Sequence, residues 1–453
     1  MTEQPDDASY DSLNDYLKPP AITADVAARS RYACTRIALG DNTINTCNPA
    51  VGDVDGDGLD ELAIPFNRGE QDVVALFKGD GEVVWETTDV RLYHSFYRRP
   101  EQYLHSHWHY RSRHRHLLTQ IRDVDGDGEL EVIVGDGPLY VLDGRDGHIK
   151  RVFDLGGCAQ VWSTAKLVPS GPPGIVACVN RHEQGGHVIA IDGNGDTLWR
   201  HDTPGQSFED RILCGDLTGD GLDETAFSMA DESRFEVRDS AGELLWSKHV
   251  PSQVGEDTHV DDMVIAPIRA GARQLATSTG GCLFDAEGAL IWRLGDRIEH
   301  GQKVAVAFPP GREGARIYIN SKTGGKAYCL NSDGEVLWEY DNFSRAPDQA
   351  ILLTTAADWV DWSAPGSCEM VQSEIFFAPR RLPAPEMYRV PLWLTVLSAE
   401  GEQVACIPYT DCLRPGFNGA MCALSCHAVS RDRHDVLVIT HNSSEALVFS
   451  PLV

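Results

Sequence analysis

Nowhere in the 453 residues does an apolar run approach the roughly 18 positions that a membrane-spanning helix needs. Positive charge is also scarce: 39 Lys and Arg stand against 68 Asp and Glu, a formal net charge of −29. Such a surface argues against nucleic acid or an anionic membrane as a partner, because both select for a basic face. The opening MTEQPDDASYDSLNDYLKPP contains no basic segment followed by an apolar one. It reads as a polar tail over residues 1–28 rather than an export signal. The expected residence is cytoplasmic, or secreted if a leader was removed. The twelve cysteines are scattered. Most sit in apolar runs such as IVACVN and GGCLFD, where a thiol behaves as a small core group.

What is present is a repeat. One unit runs from an apolar strand through an acidic turn into a second strand, then to a third that ends in a D-x-x-G turn followed by tryptophan. The fullest copies are VGDVDGDGLDELAI with LFKGDGEVVW, ending at Trp85, and LCGDLTGDGLDETAFS with VRDSAGELLW, ending at Trp246. IAIDGNGDTLW, LFDAEGALIW and CLNSDGEVLW keep the second half and end at Trp199, Trp292 and Trp338. Weaker units fill the gaps, which makes about eight periods of roughly 45 residues. Short alternating strands between Gly, Asp and Asn turns are sheet signals. A unit of this size buries its faces only against its neighbours, so the expected fold is all-β: a single β-propeller over residues 29–453, with eight blades favoured over seven. The last unit is one strand short, and RYACTRIALG near residue 31 is the N-terminal strand expected to complete it and close the ring.

The acidic turns carry their own chemistry. In DVDGDGLDE, Asp53, Asp55 and Asp57 alternate and Glu61 closes the loop. The pattern recurs at Asp123, Asp125, Asp127 and Glu131, and with a threonine at Asp216, Thr218, Asp220 and Glu224. Several carboxylate oxygens around one point suit Ca2+, with a structural role in pinning the turn. The alternative is a set of Asx turns whose side chains cap their own backbone.

Between the first two units lies an insertion, residues 88–122, unlike the rest of the chain. It carries Arg91, Arg98, Arg99, Arg111, Arg113, Arg115 and Arg122, with His94, His105, His107, His109, His114 and His116. A basic, aromatic loop on an acidic protein marks a place where an anion is expected, although arginines paired with acidic neighbours or a solvated loop are the plainer reading. Register points to the same end of the ring: His116, His259 and His300 each precede the innermost strand of a different unit, and Arg181 ends the second strand of the third.

The combination of D-x-D-G-D-G loops, D-x-x-G-x-x-x-W strand ends, the HGQKV run at His300 to Val304 and an apolar strand ending in Asn180-Arg181 resembles the β-propeller polysaccharide lyases. These include the ulvan, rhamnogalacturonan and rhamnose-glucuronate lyases. The calcium loops also resemble FG-GAP repeats. The lyase resemblance implies β-elimination at a uronic acid within an anionic polysaccharide or oligosaccharide. His94, His114 or His116 and Arg181 match the family's order of catalytic residues. Tyr97, Arg98, Arg99, His259, His300 and Gln302 are implied as substrate contacts. The family's tyrosine has no counterpart in CAQVWSTAKLV, which offers Gln160 and Trp162 instead, so Tyr93 or Tyr97 would have to replace it.

Three alternatives stay open. Cys406, Cys412, Cys422, Cys426 and His427 offer zinc ligands, but without a recognised spacing, so buried thiols are the simpler reading. A non-catalytic calcium-loop propeller that binds a protein or glycan would need no convergent histidines. A quinone-cofactor propeller would share the tryptophan endings.

Overall fold

The computed structural model describes residues 22–39, 49–68, 71–92, 119–181, 185–204, 208–229, 234–250, 260–269, 271–298, 301–321, 326–341, 351–377, 391–410, 418–440 and 445–452. Eight four-stranded antiparallel blades follow one another along the chain, between residues 50–87, 119–153, 158–203, 208–249, 263–293, 301–341, 351–410 and 418–451. The eighth blade takes its fourth strand from the other end of the chain. Strand Tyr32–Ala38 pairs with Glu445–Pro451, from Tyr32 opposite Pro451 to Ala38 opposite Glu445. Closure by the N-terminal strand leaves no open edge between first and last blade. Blades seven and eight are further joined where Ile375 and Phe376 pair with Gly419 and Asn418.

The strand sequences account for this layering. Second and third strands such as Glu224–Met229 are buried along their whole length, because a blade between two others has no solvent face. Fourth strands alternate, as in Val83–Thr87, where Trp85 is buried and its neighbours are exposed. Each space between adjacent blades holds one apolar cluster. Between blades one and two, Ala63, Val74 and Leu76 meet Ile121, Val132, Val134 and Leu142.

The repeated tryptophans clamp each blade to the next. Trp85 Nε1 donates to the Gly144 carbonyl at 2.7 Å, Trp199 to Ser240 at 3.0 Å, Trp246 to Ala286 at 2.8 Å, Trp292 to Ser332 at 3.1 Å and Trp338 to Ala399 at 3.0 Å. Each indole lies on the glycine of the following blade's D-x-x-G turn. A Cβ on Gly147, Gly242, Gly288, Gly334 or Gly401 would meet the ring at 2.5–2.7 Å, and all five glycines have positive φ. At the turn of Gly81 in blade one, Ile37 and Thr35 of the closing strand stand in for the indole.

The last part of the stretch read as a tail is structured. Thr23 Oγ1 accepts from the Val26 N–H and caps helix Ala24–Arg29, which buries Val26. Ser30 Oγ then accepts from the Cys406 N–H at 2.8 Å, tying the helix to blade seven. No described helix is long and apolar enough to cross a membrane. Eight described cysteines are free thiols, and six of them, Cys178, Cys282, Cys329, Cys368, Cys406 and Cys426, are buried.

Candidate functional site

The first strands of neighbouring blades touch one another around the full circle, so they line the central channel. Their ends define two rims. Every first strand leaves through the turn that carries the acidic loop or its equivalent, whereas the connections between blades arrive at the opposite rim. The acidic loops and the end of strand Gly174–Arg181 therefore sit at opposite ends of the ring.

At the acidic rim the ninth position of each loop is a buried acceptor. Glu61 Oε2 takes the Val54 N–H at 2.8 Å, Glu131 Oε2 that of Val124 at 2.9 Å, and Glu224 Oε2 that of Leu217 at 2.7 Å. Glu369 does the same for Trp362 and Ser363 in blade seven, whose loop keeps only the first aspartate, Asp361, and Asp435 does so for Val429 and Ser430 in blade eight. Burial pushes the carboxyls of Glu61, Glu131 and Glu224 upward, and the donated N–H bonds pull them back. The aspartates also cap their own turns: Asp53 accepts from Gly58, and Asp57 from Leu59.

The donor sets differ in their fit to calcium. In the first loop, carboxylate oxygens of Asp53, Asp55 and Asp57 lie within 4.8 Å of one another, and Asp53 Oδ1 is buried without a partner. All are hard oxygen donors, and the set fits the ion. In the second loop the carboxylates of Asp123, Asp125 and Asp127 converge equally, but the Lys150 ammonium contacts Asp125, Asp127 and Glu131 at 2.7, 3.2 and 2.7 Å. In the third, Thr218 Oγ1 donates to Glu224 Oε1 at 3.1 Å, and Asp216 and Asp220 accept from the Gly219 and Leu222 N–H groups. Of the sequence-predicted zinc set, Cys412 and the Cys422 side chain lie outside the described residues. The His427 ring stacks on His434, centroids 4.3 Å apart.

Of the residues predicted for the rim opposite the acidic loops, His94, Tyr97, Arg98, Arg99, His114 and His116 lie outside the described residues, as do His259 and His300. Arg181 ends strand Gly174–Arg181 at this rim, its backbone paired with Gly185. Gln302 stands in the innermost strand Gly301–Ala307 and donates to Asp261 Oδ1 at 2.6 Å. Trp162, which occupies the place where the tyrosine was sought, is a core residue whose Nε1 donates to the Gly135 carbonyl.

Beside Gln302 the channel holds a charged group that sequence reasoning missed. Arg211, Asp262 and Lys303 each stand five residues ahead of the turn in blades four, five and six, so the three lie at one level. Asp262 is almost fully buried, with Arg211 Nε at 3.0 Å from one oxygen and Lys303 Nζ at 3.0 Å from the other. Both cations are about one-third exposed. In blade seven Asp358 faces the same region. Burial raises its pKa, while the Ser425 N–H and Lys303 act the other way. The arrangement sets two cations, each about one-third exposed, on one buried carboxylate.

A ring of four-stranded blades clamped by tryptophans onto D-x-x-G turns defines a repeat β-propeller. The family model described as outer membrane protein assembly factor BamB matches residues 69–283 and again 184–353, together well over half of the chain, and the chain belongs to that family. No curated protein sequence matches it. Among solved structures it is similar to BamB from Moraxella catarrhalis, at 14% identity and TM-score 0.52 over 92% of this chain and 98% of that one. It is also similar to a rhamnogalacturonan lyase from Bacillus licheniformis, at 16% identity and TM-score 0.52 over 96% and 75%. A quinohemoprotein alcohol dehydrogenase from Pseudomonas putida is a third, at 12% identity and TM-score 0.55 over 97% and 79%. At these identities the likeness is one of fold, which hosts unrelated activities.

Proposed function

We propose that this propeller is a lyase that cleaves a glycosidic bond at a uronic acid of an anionic polysaccharide or oligosaccharide by β-elimination. The observation that carries the reading is the Arg211 and Lys303 pair about Asp262, at the rim where the His- and Arg-rich connection leaves and rejoins the described strands. The similarity in fold to a rhamnogalacturonan lyase supports it.

The chemistry requires three things. A cation neutralises the uronate carboxylate so that charge can develop on it once the C5 proton leaves. A base takes that proton, the electron pair forms the C4–C5 double bond, and the C4–O bond breaks with a proton delivered to the departing glycosyl oxygen. In this reading Arg181 and His94 meet the carboxylate and His114 or His116 moves the proton. Tyr97, Arg98, Arg99, His259, His300 and Gln302 hold the sugar, and calcium in the first acidic loop stiffens the scaffold.

Incubation with ulvan, rhamnogalacturonan and gum arabic tests this through the ultraviolet absorbance of the unsaturated uronate. The absorbance is expected to rise with one of them, and to stay flat in His116→Ala and Arg181→Ala. No rise with any uronate polymer rejects the lyase. The second reading, a non-catalytic propeller that binds a glycan or protein, is favoured by the match to an assembly-factor family. It expects retention on an immobilised polymer with no product.

A further inference from the structure

The three full acidic loops share one frame. Asp53, Asp123 and Asp216 stand first, Glu61, Glu131 and Glu224 ninth, and each glutamate is tied to the backbone of the second residue. What differs is the residue at one position of the blade's outermost strand, from which Lys150 reaches the carboxylates in blade two. Counted three residues beyond the glycines Gly81, Gly147 and Gly242 of the D-x-x-G turns, that position is Val84 in blade one, Lys150 in blade two and Leu245 in blade four.

We propose that Lys150 is the resident cation of the second loop, seated where a divalent ion would bind, so that this loop closes without metal while the first keeps an open oxygen set. Nζ has three protons and three carboxylate partners, Asp125, Asp127 and Glu131. Glu131 is used on both sides, Oε2 by Val124 and Oε1 by Lys150. An incoming Ca2+ would need those same oxygens and would stand beside an ammonium whose side chain is only 19% exposed. The first loop has no such neighbour on its fourth strand. Its lysine contact is exposed Lys78, 3.7 Å from Asp55, which a metal can displace at little cost.

The inference concerns the scaffold and is independent of the β-elimination reading. It also reverses, for one loop, what the repeated aspartates suggest. The test is a count of bound Ca2+ on the full chain after chelator treatment, by equilibrium dialysis, with thermal unfolding as a second readout. In the wild-type background, Asp127→Asn is expected to leave the count unchanged. Lys150→Met is expected to add one bound ion and to make the melting temperature rise with added Ca2+ more steeply than in wild type. Asp127→Asn in the Lys150→Met background is expected to abolish that gain. The proposal is overturned if Asp127→Asn alone removes an ion, or if cooperatively folded Lys150→Met gains none. Should Lys150→Met fail to fold, the wild-type Asp127→Asn comparison decides by itself. An Asp57→Asn arm reports separately on the first loop, so a failure there is distinguishable.

Discussion

Trp85 of the first blade donates its indole N–H to Gly144 of the second at 2.7 Å, and its ring fills the space where a side chain on Gly147 would stand. The contact is long-range in sequence but recurs at four further blade junctions, so blades four, five and six each carry half of two clamps. A ring stabilised in this way is a chain of nearest-neighbour terms.

Removing one clamp is therefore expected to weaken the whole ring. Trp246→Ala deletes an indole that donates to Ala286 and packs on Gly288, Phe235 and Phe284. A loss of about 3–5 kcal/mol is expected for a large aromatic of this kind, measured as a lower urea midpoint. Gly288→Ala should destabilise as well, because a Cβ there would stand 2.7 Å from the ring at a backbone angle that disfavours it.

The buried glutamate of the acidic loop is expected to matter as an acceptor more than as a charge. Glu224→Ala leaves the Leu217 and Thr218 N–H groups without their partner, a cost of about 1–3 kcal/mol. Glu224→Gln keeps a carbonyl oxygen in place and removes a carboxylate whose pKa burial has raised. Its stability at neutral pH should stay close to wild type. Comparing the two by chemical denaturation separates the roles.

Blades seven and eight are joined by a titratable bond: the Asp361 N–H donates to His434 Nδ1 at 2.8 Å. The bond requires Nδ1 to be unprotonated, and burial, with His427 beside it, lowers the His434 pKa. The folded state thus takes up the proton less readily than the unfolded chain. The contribution is present above the unfolded pKa of about 6.5 and is lost as pH falls through the folded value. His434→Asn places an amide oxygen near the same point and does not titrate. Its denaturation midpoint should decline less than that of wild type between pH 8 and pH 5. Equal declines would place the acid sensitivity elsewhere.

The channel cations are expected to hold an acidic sugar. Replacing both Arg211 and Lys303 by methionine removes charge-assisted contacts worth about 1.5–3 kcal/mol each, so binding of a uronate oligosaccharide should weaken at least tenfold in calorimetry. A neutral oligosaccharide provides the control and should be little affected. Asp262→Asn leaves the two cations in place without their shared anion. It should lower stability at low salt and recover part of it at high salt, where screening shortens the reach of the repulsion.

Much of the architecture was legible along the chain because it is made of local signals. Five tryptophan endings and three aspartate loops set the period, and the unpaired segment near residue 31 announced the strand that pairs with Glu445–Pro451. The capping role of Glu61, Glu131 and Glu224 was less visible. Metal ligation and backbone capping call for the same residue in the same place, and burial reveals the capping role. Lys150 and the Arg211, Asp262 and Lys303 group were not legible at all. The lysine lies in another strand from the loop it neutralises, and the channel residues come from three blades. Of the predicted His- and Arg-rich insertion, residues 88–122, the stretch 93–118 lies outside those described.

The sequence by itself determined the repeat and the all-β ring it builds, because strand alternation, Asx turns and glycines at positive φ act between residues a few positions apart. Tertiary structure decided which charge meets which. Those pairings depend on how neighbouring blades abut and how strands within a blade face one another, and no periodicity along the chain encodes an ammonium arriving among three carboxylates from a strand away.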